Sequence, residues 1–137
     1  MDDSRNTPLL VTAAIIEQQG RVLVTRRPAD KRHPLAWEFP GGKMEADETP
    51  EQALQRELQE ELAIEVVVES IFDVAFYRYD WGAVLILAYR CRWENGAIKH
   101  LEVDDHRWVT AAELGEMQML PADQPLVERL QRLSTPS

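Results

Sequence analysis

The stretch TPEQALQRELQEELAI, residues 49–64, constrains the fold more than any other part of the chain. Leu54, Leu58 and Leu62 recur at every fourth position, which on a helical period of roughly 3.6 residues makes one apolar stripe that another layer must cover. Thr49 suits an N-cap, Pro50 suits the first helical position, and Gln52 completes a capping box, so the spacing predicts a helix starting near Pro50. Beside the stripe stand Glu57, Glu60 and Glu61, at i, i+3 and i+4. Like charges at these intervals repel by about 0.2–0.5 kcal/mol per pair. Glu60 and Glu61 also fall in the last turn, where the negative end of the helix dipole disfavours an anion by roughly 0.3–1 kcal/mol. A divalent cation would turn both penalties into binding energy; the plainer alternative is a solvated acidic face.

Around this helix the chain alternates between extended and helical patterns. Residues 10–17 (LVTAAIIE) and 21–26 (RVLVTR) are strand-like and flank Gln18-Gln19-Gly20, a hairpin turn. Residues 27–48 read as one long loop, punctuated by Pro28, Pro34, Pro40 and Gly41-Gly42. Loops beyond about 12–15 residues in a compact domain are commonly functional, and this one leads straight into the glutamates. Residues 65–77 and 83–93 read as strands, the second so apolar (AVLILAYRCRW) that it predicts a central strand covered on both faces. Glu94-Asn95-Gly96 is a turn signal, and residues 97–100 and 107–109 are expected as short strands. Thr110 with Glu113 marks a second capping box, and Leu126, Leu130 and Leu133 predict an amphipathic helix after Pro121. This order implies an α/β class, with helices on both faces of a mixed sheet. The length of 137 residues suits a single domain, 1–137, with frayed tails at 1–7 and 134–137.

The net charge of −9 argues against a long nucleic acid as ligand, because such binding depends on Lys and Arg neutralising phosphates. A small polyphosphate arriving as a metal complex is still compatible with a local basic patch. No apolar run approaches the ~20 residues that span a bilayer, and MDDSRNTPLL lacks the basic start and apolar stretch of a secretory signal, so no membrane association and a cytoplasmic location are expected. Cys91 is alone and falls inside an apolar strand, where a buried structural thiol is expected. His33, His100 and His106 show no zinc-ligand spacing.

Read together, Gly42, Glu48, Arg56-Glu57-Leu58, Glu60-Glu61 and Ile64 resemble the signature of the Nudix hydrolases, with one fixed position unmatched. The flank from Trp37 to Leu58, WEFPGGKMEADETPEQALQREL, is most similar to the MutT-like branch, whose members hydrolyse nucleoside triphosphates. The resemblance implies a Nudix-type α/β/α sandwich with a mixed β-sheet, acting as a monomer or weak homodimer. It also implies Mg²⁺, with Mn²⁺ as a substitute, and cleavage of a nucleoside triphosphate to monophosphate and pyrophosphate. Glu57, Glu60 and Glu61 would hold the metal with the Gly42 carbonyl, and Glu57 is also a candidate base. Arg56 would orient the glutamates, and an i,i+4 pair with Glu60 is sterically open to it. MutT-like proteins carry an acidic residue six positions before a late tryptophan; Glu102 precedes Trp108 by that interval. It is a second candidate base or metal ligand, against a solvated loop acid beside Asp104 and Asp105.

For the substrate, the TRR element of MutT-like proteins recurs as Thr25-Arg26-Arg27, and the resemblance implies Arg27, then Arg26, as the phosphate contacts, with Lys31, Arg32 and Lys43 as weaker candidates. Phe39 is placed with them as a substrate contact. Arg78 lies among Tyr77, Tyr79 and Trp81, which could stack on a base or simply pack at a strand end. Asp123, in LPADQP, occupies the place of a base-contacting Asn or Asp in the MutT-like branch; it could equally cap the last helix. Ionised, it only accepts hydrogen bonds and favours the amino groups of cytosine or adenine; protonated, the preference reverses toward an edge such as that of 8-oxoguanine. The unmatched position is Ala63, where glycine is usual, so either Ala63 is left-handed or the helix ends differently. Other readings are a Nudix hydrolase of ADP-ribose or a dinucleoside polyphosphate, and a noncatalytic nucleotide sensor.

Overall fold

The computed structural model describes residues 7–134. Strands β1 (Leu9–Gln18) and β2 (Arg21–Arg26) form the expected hairpin. Its turn holds Gln19 (φ 53°) and Gly20 (φ 77°) in left-handed backbone, the geometry that lets a two-residue connection follow the strand twist. Segment 27–48 is more than a loop. It carries β3 (Trp37–Glu38), paired with the end of β2, and β4 (Gly41–Lys43), paired with β1. Each is too short for an alternating pattern, and Pro40 separates them, so the sequence hides both.

Helix α1 (Pro50–Leu62) starts as expected, with both bonds of the Thr49–Gln52 capping box formed. It ends on Ala63 at φ 60°, ψ 33°, the left-handed option, with the Ala63 N–H donating to the Gln59 carbonyl. Strands β5 (Glu65–Tyr79), β6 (Gly82–Asn95) and β7 (Asp105–Val109) follow. Helix α2 (Ala111–Leu114) has its Thr110–Glu113 capping box, and a 3-10 turn (Pro121–Asp123) leads into α3 (Gln124–Ser134). Among the tail residues, Thr7 and Ser134 are described, and Ser134 closes α3 rather than fraying; the rest lie outside the described residues.

The seven strands form one sheet in the order β3-β2-β1-β6-β5, with β4 beside β1 and β7 beside β2. β1 and β6 run parallel from Leu9↔Val84 to Ile16↔Cys91, and the remaining ladders are antiparallel, so the sheet is mixed. β6 sits between β1 and β5, the central place its apolar run predicts. Alternation along β1 sends Ala14 and Ile16 to one face and Ala13 and Ile15 to the other. On the first face Leu54, Leu58 and Leu62 are fully buried against Leu23, Ile64, Val66 and Cys91, each leucine contributing about 2 kcal/mol of apolar burial. On the second, Leu114, Leu126, Val127 and Leu130 cover Val22, Val24, Phe39 and Ile86.

Two further expectations fail. Residues 97–100 form no strand: Lys99 donates to the Leu62 carbonyl and Leu101 to that of Glu61, so this segment caps the end of α1 instead of joining the sheet. Leu133 is 57% exposed, because the last turn of α3 runs past the layer that covers Leu126 and Leu130, and Val127 takes the expected third place in the core.

Candidate active site

A cleft of about 530 Å³ opens where β4, α1, the segment after β6 and the 3-10 turn converge, and its lining includes Arg27, Glu38, Phe39, Gly42, Glu57, Glu61, Glu102 and Asp123. α1 supplies Glu57 and Glu61 one turn apart, held at fixed height by the leucine stripe behind them. β4 brings Gly42 so close that a Cβ there would run into the Glu57 carboxylate. The Gly42 carbonyl accepts from the Thr12 hydroxyl at 3.1 Å, leaving its second lone pair available.

Burial dominates the electrostatics. It pushes the Glu61 carboxyl well above its ordinary range, helped by the nearby Glu38 and Glu57 charges and offset in part by the Gly41 N–H. Glu61 Oε2 is buried without a hydrogen-bond partner. Burial also raises Glu57, against the opposing hydrogen bond from Arg56. Glu38 is pushed up to about 7 by burial, although Arg27 donates to both its oxygens at 3.2 and 3.3 Å. Asp123, 4% exposed, is pushed up to about 8 by burial, with Glu38 adding and the Phe39 N–H, donating at 3.1 Å, opposing. Four carboxyl groups facing one cleft therefore resist ionisation together or require a cation. A buried oxygen with no partner, beside other hard oxygen donors, fits Mg²⁺, which takes oxygen ligands and keeps part of its water shell.

Arg56 does not line the cleft; it lies behind Glu57. Its guanidinium donates to Glu48 through Nε (2.6 Å) and Nη2 (2.9 Å), to Glu57 (3.0 Å) and Glu60 (3.1 Å) through Nη1, and to the Lys43 carbonyl (3.0 Å). The hydrogen bonds to Glu48 do most to keep it charged. Glu60 is half-exposed and faces Arg56 rather than the cleft. Arg26 is also outside: it pairs with Asp104 and lies over the Trp37 ring. Arg78 is exposed over Phe76, away from the cleft, while Tyr79 and Trp81 stack at its mouth with Arg32 over Trp81.

Sequence reasoning missed the partly buried Glu38 beside Arg27 and Glu48 as the main partner of Arg56. The only sequence signal for Glu48 is its place in the signature, and for Glu38 its place next to Phe39. Spacing along the chain also carries no sign that two of the histidines meet. His100 Nε2 and His106 Nδ1 lie 2.8 Å apart, and with Asp105 they are the one group of three such side chains, among the described residues, whose donor atoms all fall within 4.8 Å of one another. The glutamates are not drawn into so tight a set.

A family model described as the NUDIX domain matches residues 7–130. The chain is 34% identical over 125 residues to an 8-oxo-dGTP diphosphatase of Escherichia coli (strain K12), covering 90% of this chain and 96% of that one. It is 38% identical over 124 residues to the CTP pyrophosphohydrolase of the same organism, covering 90% and 91%. The solution structure of the E. coli ORF135 protein matches with a TM-score of 0.81 at 32% identity, over 97% of this chain and 95% of that one.

Proposed function

The chain belongs to the NUDIX domain family, and from that premise we propose that it is a Mg²⁺-dependent nucleoside triphosphate pyrophosphohydrolase that releases a monophosphate and pyrophosphate. The observation that carries this reading is Glu61 Oε2, a buried, unpartnered carboxylate oxygen beside Glu57 in a cleft large enough for a nucleotide. Glu57, Glu61 and the Gly42 carbonyl would hold the metal, with Glu102, which also lines the cleft, completing the set while Glu60 stays turned toward Arg56; Mn²⁺ has the same donor preference. When bound, the cation neutralises phosphoryl charge and lowers the pKa of water. The chain's residues do the rest. Arg56 ties Glu57 and Glu60 to Glu48 and fixes their carboxylates. Glu57 or Glu102 takes a proton from the attacking water, and Arg27 faces the phosphates once its bond to Glu38 is shared.

The base reading turns on Asp123. Protonated at neutral pH, it accepts the Phe39 N–H through one oxygen and donates through the other. That fits a base edge with an acceptor beside a donor, such as O6 and the N7 proton of 8-oxoguanine, better than an edge of amino donors alone. Phe39, Tyr79 and Trp81 would enclose the base. The protein would then work on the cytoplasmic nucleotide pool and keep oxidised precursors out of DNA. The test is a panel of normal, oxidised and methylated nucleoside triphosphates with Mg²⁺, measuring pyrophosphate against phosphate. Pyrophosphate release with 8-oxo-dGTP preferred is expected. Preference for cytidine nucleotides would overturn the base reading alone, and release of phosphate in place of pyrophosphate would overturn the reaction.

A further inference from the structure

The segment between β6 and β7 has no strand or helix of its own, yet it carries Glu102 into the cleft. Backbone bonds pin it: Leu101 and Glu102 donate to the Glu61 carbonyl and Asp104 to that of Arg26. Side chains close the same span. His100, at its start, reaches His106 on β7 at 2.8 Å, with the rings 5.0 Å apart and inclined by 63°. Neighbouring strand residues ordinarily point to opposite faces. Asp105 escapes that rule because its carboxylate curls back to accept the His106 backbone N–H at 2.8 Å, which brings it within 4.8 Å of both ring nitrogens.

We propose that His100, Asp105 and His106 form a second cation site, outside the substrate cleft, for a transition metal of zinc type that clips the Glu102 segment onto β7. Two imidazole nitrogens and one carboxylate select such an ion over Mg²⁺, which prefers oxygen alone. Nitrogens bound to one tetrahedral Zn²⁺ stand about 3.3 Å apart, given Zn–N bonds of about 2.0 Å. The rings therefore need to open by only about half an ångström, and His100 is exposed. None of the three residues lines the cleft, so the site is separate from the glutamates. The metal closes a short loop whose ends are already adjacent, which restricts the backbone that presents Glu102. The effect on catalysis follows only if Glu102 acts as proposed above; the binding itself does not depend on that reading.

The test uses metal-free full-length protein, saturating Mg²⁺ to occupy the carboxylates, and Zn²⁺ as the probe, followed by calorimetry and by hydrogen exchange of the 99–104 amides. The wild type and Glu57→Gln should each bind one Zn²⁺ with equal affinity, and exchange at Leu101, Glu102 and Asp104 should slow. His100→Ala and His106→Gln should each weaken binding at least ~10-fold, since even residues outside a metal's ligand shell cost that much, and should abolish the added protection. His100→Ala alters an exposed loop residue, so folding does not confound it. Unchanged Zn²⁺ affinity in His100→Ala, or loss of Zn²⁺ binding in Glu57→Gln, would overturn the proposal.

Discussion

Replacing Asp123 with Asn tests whether a neutral carboxyl is built into the cleft. Asp123 is 4% exposed and burial pushes it from an ordinary value of 3.8 up to about 8. Between those values the unfolded chain has released a proton that the folded chain retains. Stability is then fully present below about pH 3.8, falls as pH rises, and the loss is complete above about pH 8; the steepest slope is ~1.4 kcal/mol per pH unit. Asn keeps the shape and an acceptor for the Phe39 N–H but does not titrate. From pH 5 to 7 the stability of Asp123→Asn relative to wild type should therefore rise by up to ~2.7 kcal/mol. Glu38 and Glu61, also raised, bend both curves; Glu38 also adds to the Asp123 shift, so the difference reads Asp123 together with its coupling to Glu38. Urea denaturation at whole pH units from 5 to 8 reads it directly. Parallel curves for the two proteins would mean that Asp123 is ionised in the folded chain and return the base preference to one for amino groups.

Three further outcomes follow from individual contacts. Ala63→Gly should raise stability by about 1 kcal/mol, the cost of a left-handed alanine, and leave turnover unchanged, as read by melting temperature and initial rate. Gly42→Ala should lower Mg²⁺-dependent turnover far more than it lowers the melting temperature, because the new methyl displaces the Glu57 carboxylate. Cys91, buried with its thiol pushed up to about 12, should resist iodoacetamide at pH 8 in the native protein and react once the protein is unfolded.

What was legible in the sequence was whatever repeats at a local period. The α1 stripe, both capping boxes, the β1–β2 hairpin and the central β6 are written in spacings of two to four residues and fold as read. Contacts across the chain were not. The Asp123 bond to Phe39 spans 84 positions and the Arg26 pair with Asp104 spans 78, and no local pattern specifies either. The same limit hid His100 beside His106, which are close in sequence but meet only because residues 97–104 turn back to cap α1. Of the proposed site, Glu57, Glu61, Glu102, Arg27, Phe39, Gly42 and Asp123 converge on one cleft, whereas Arg26, Arg56, Glu60 and Arg78 stand outside its lining.

Pyrophosphate release is proposed to depend on a cation held by the α1 carboxylates. Turnover of 8-oxo-dGTP by Glu57→Gln at saturating Mg²⁺ tests it most directly, with wild type alongside and melting temperature as the control for folding. A fall in kcat of at least ~100-fold is expected, the usual scale for losing a positioned base, with the fold intact. Wild-type turnover in the variant would contradict it.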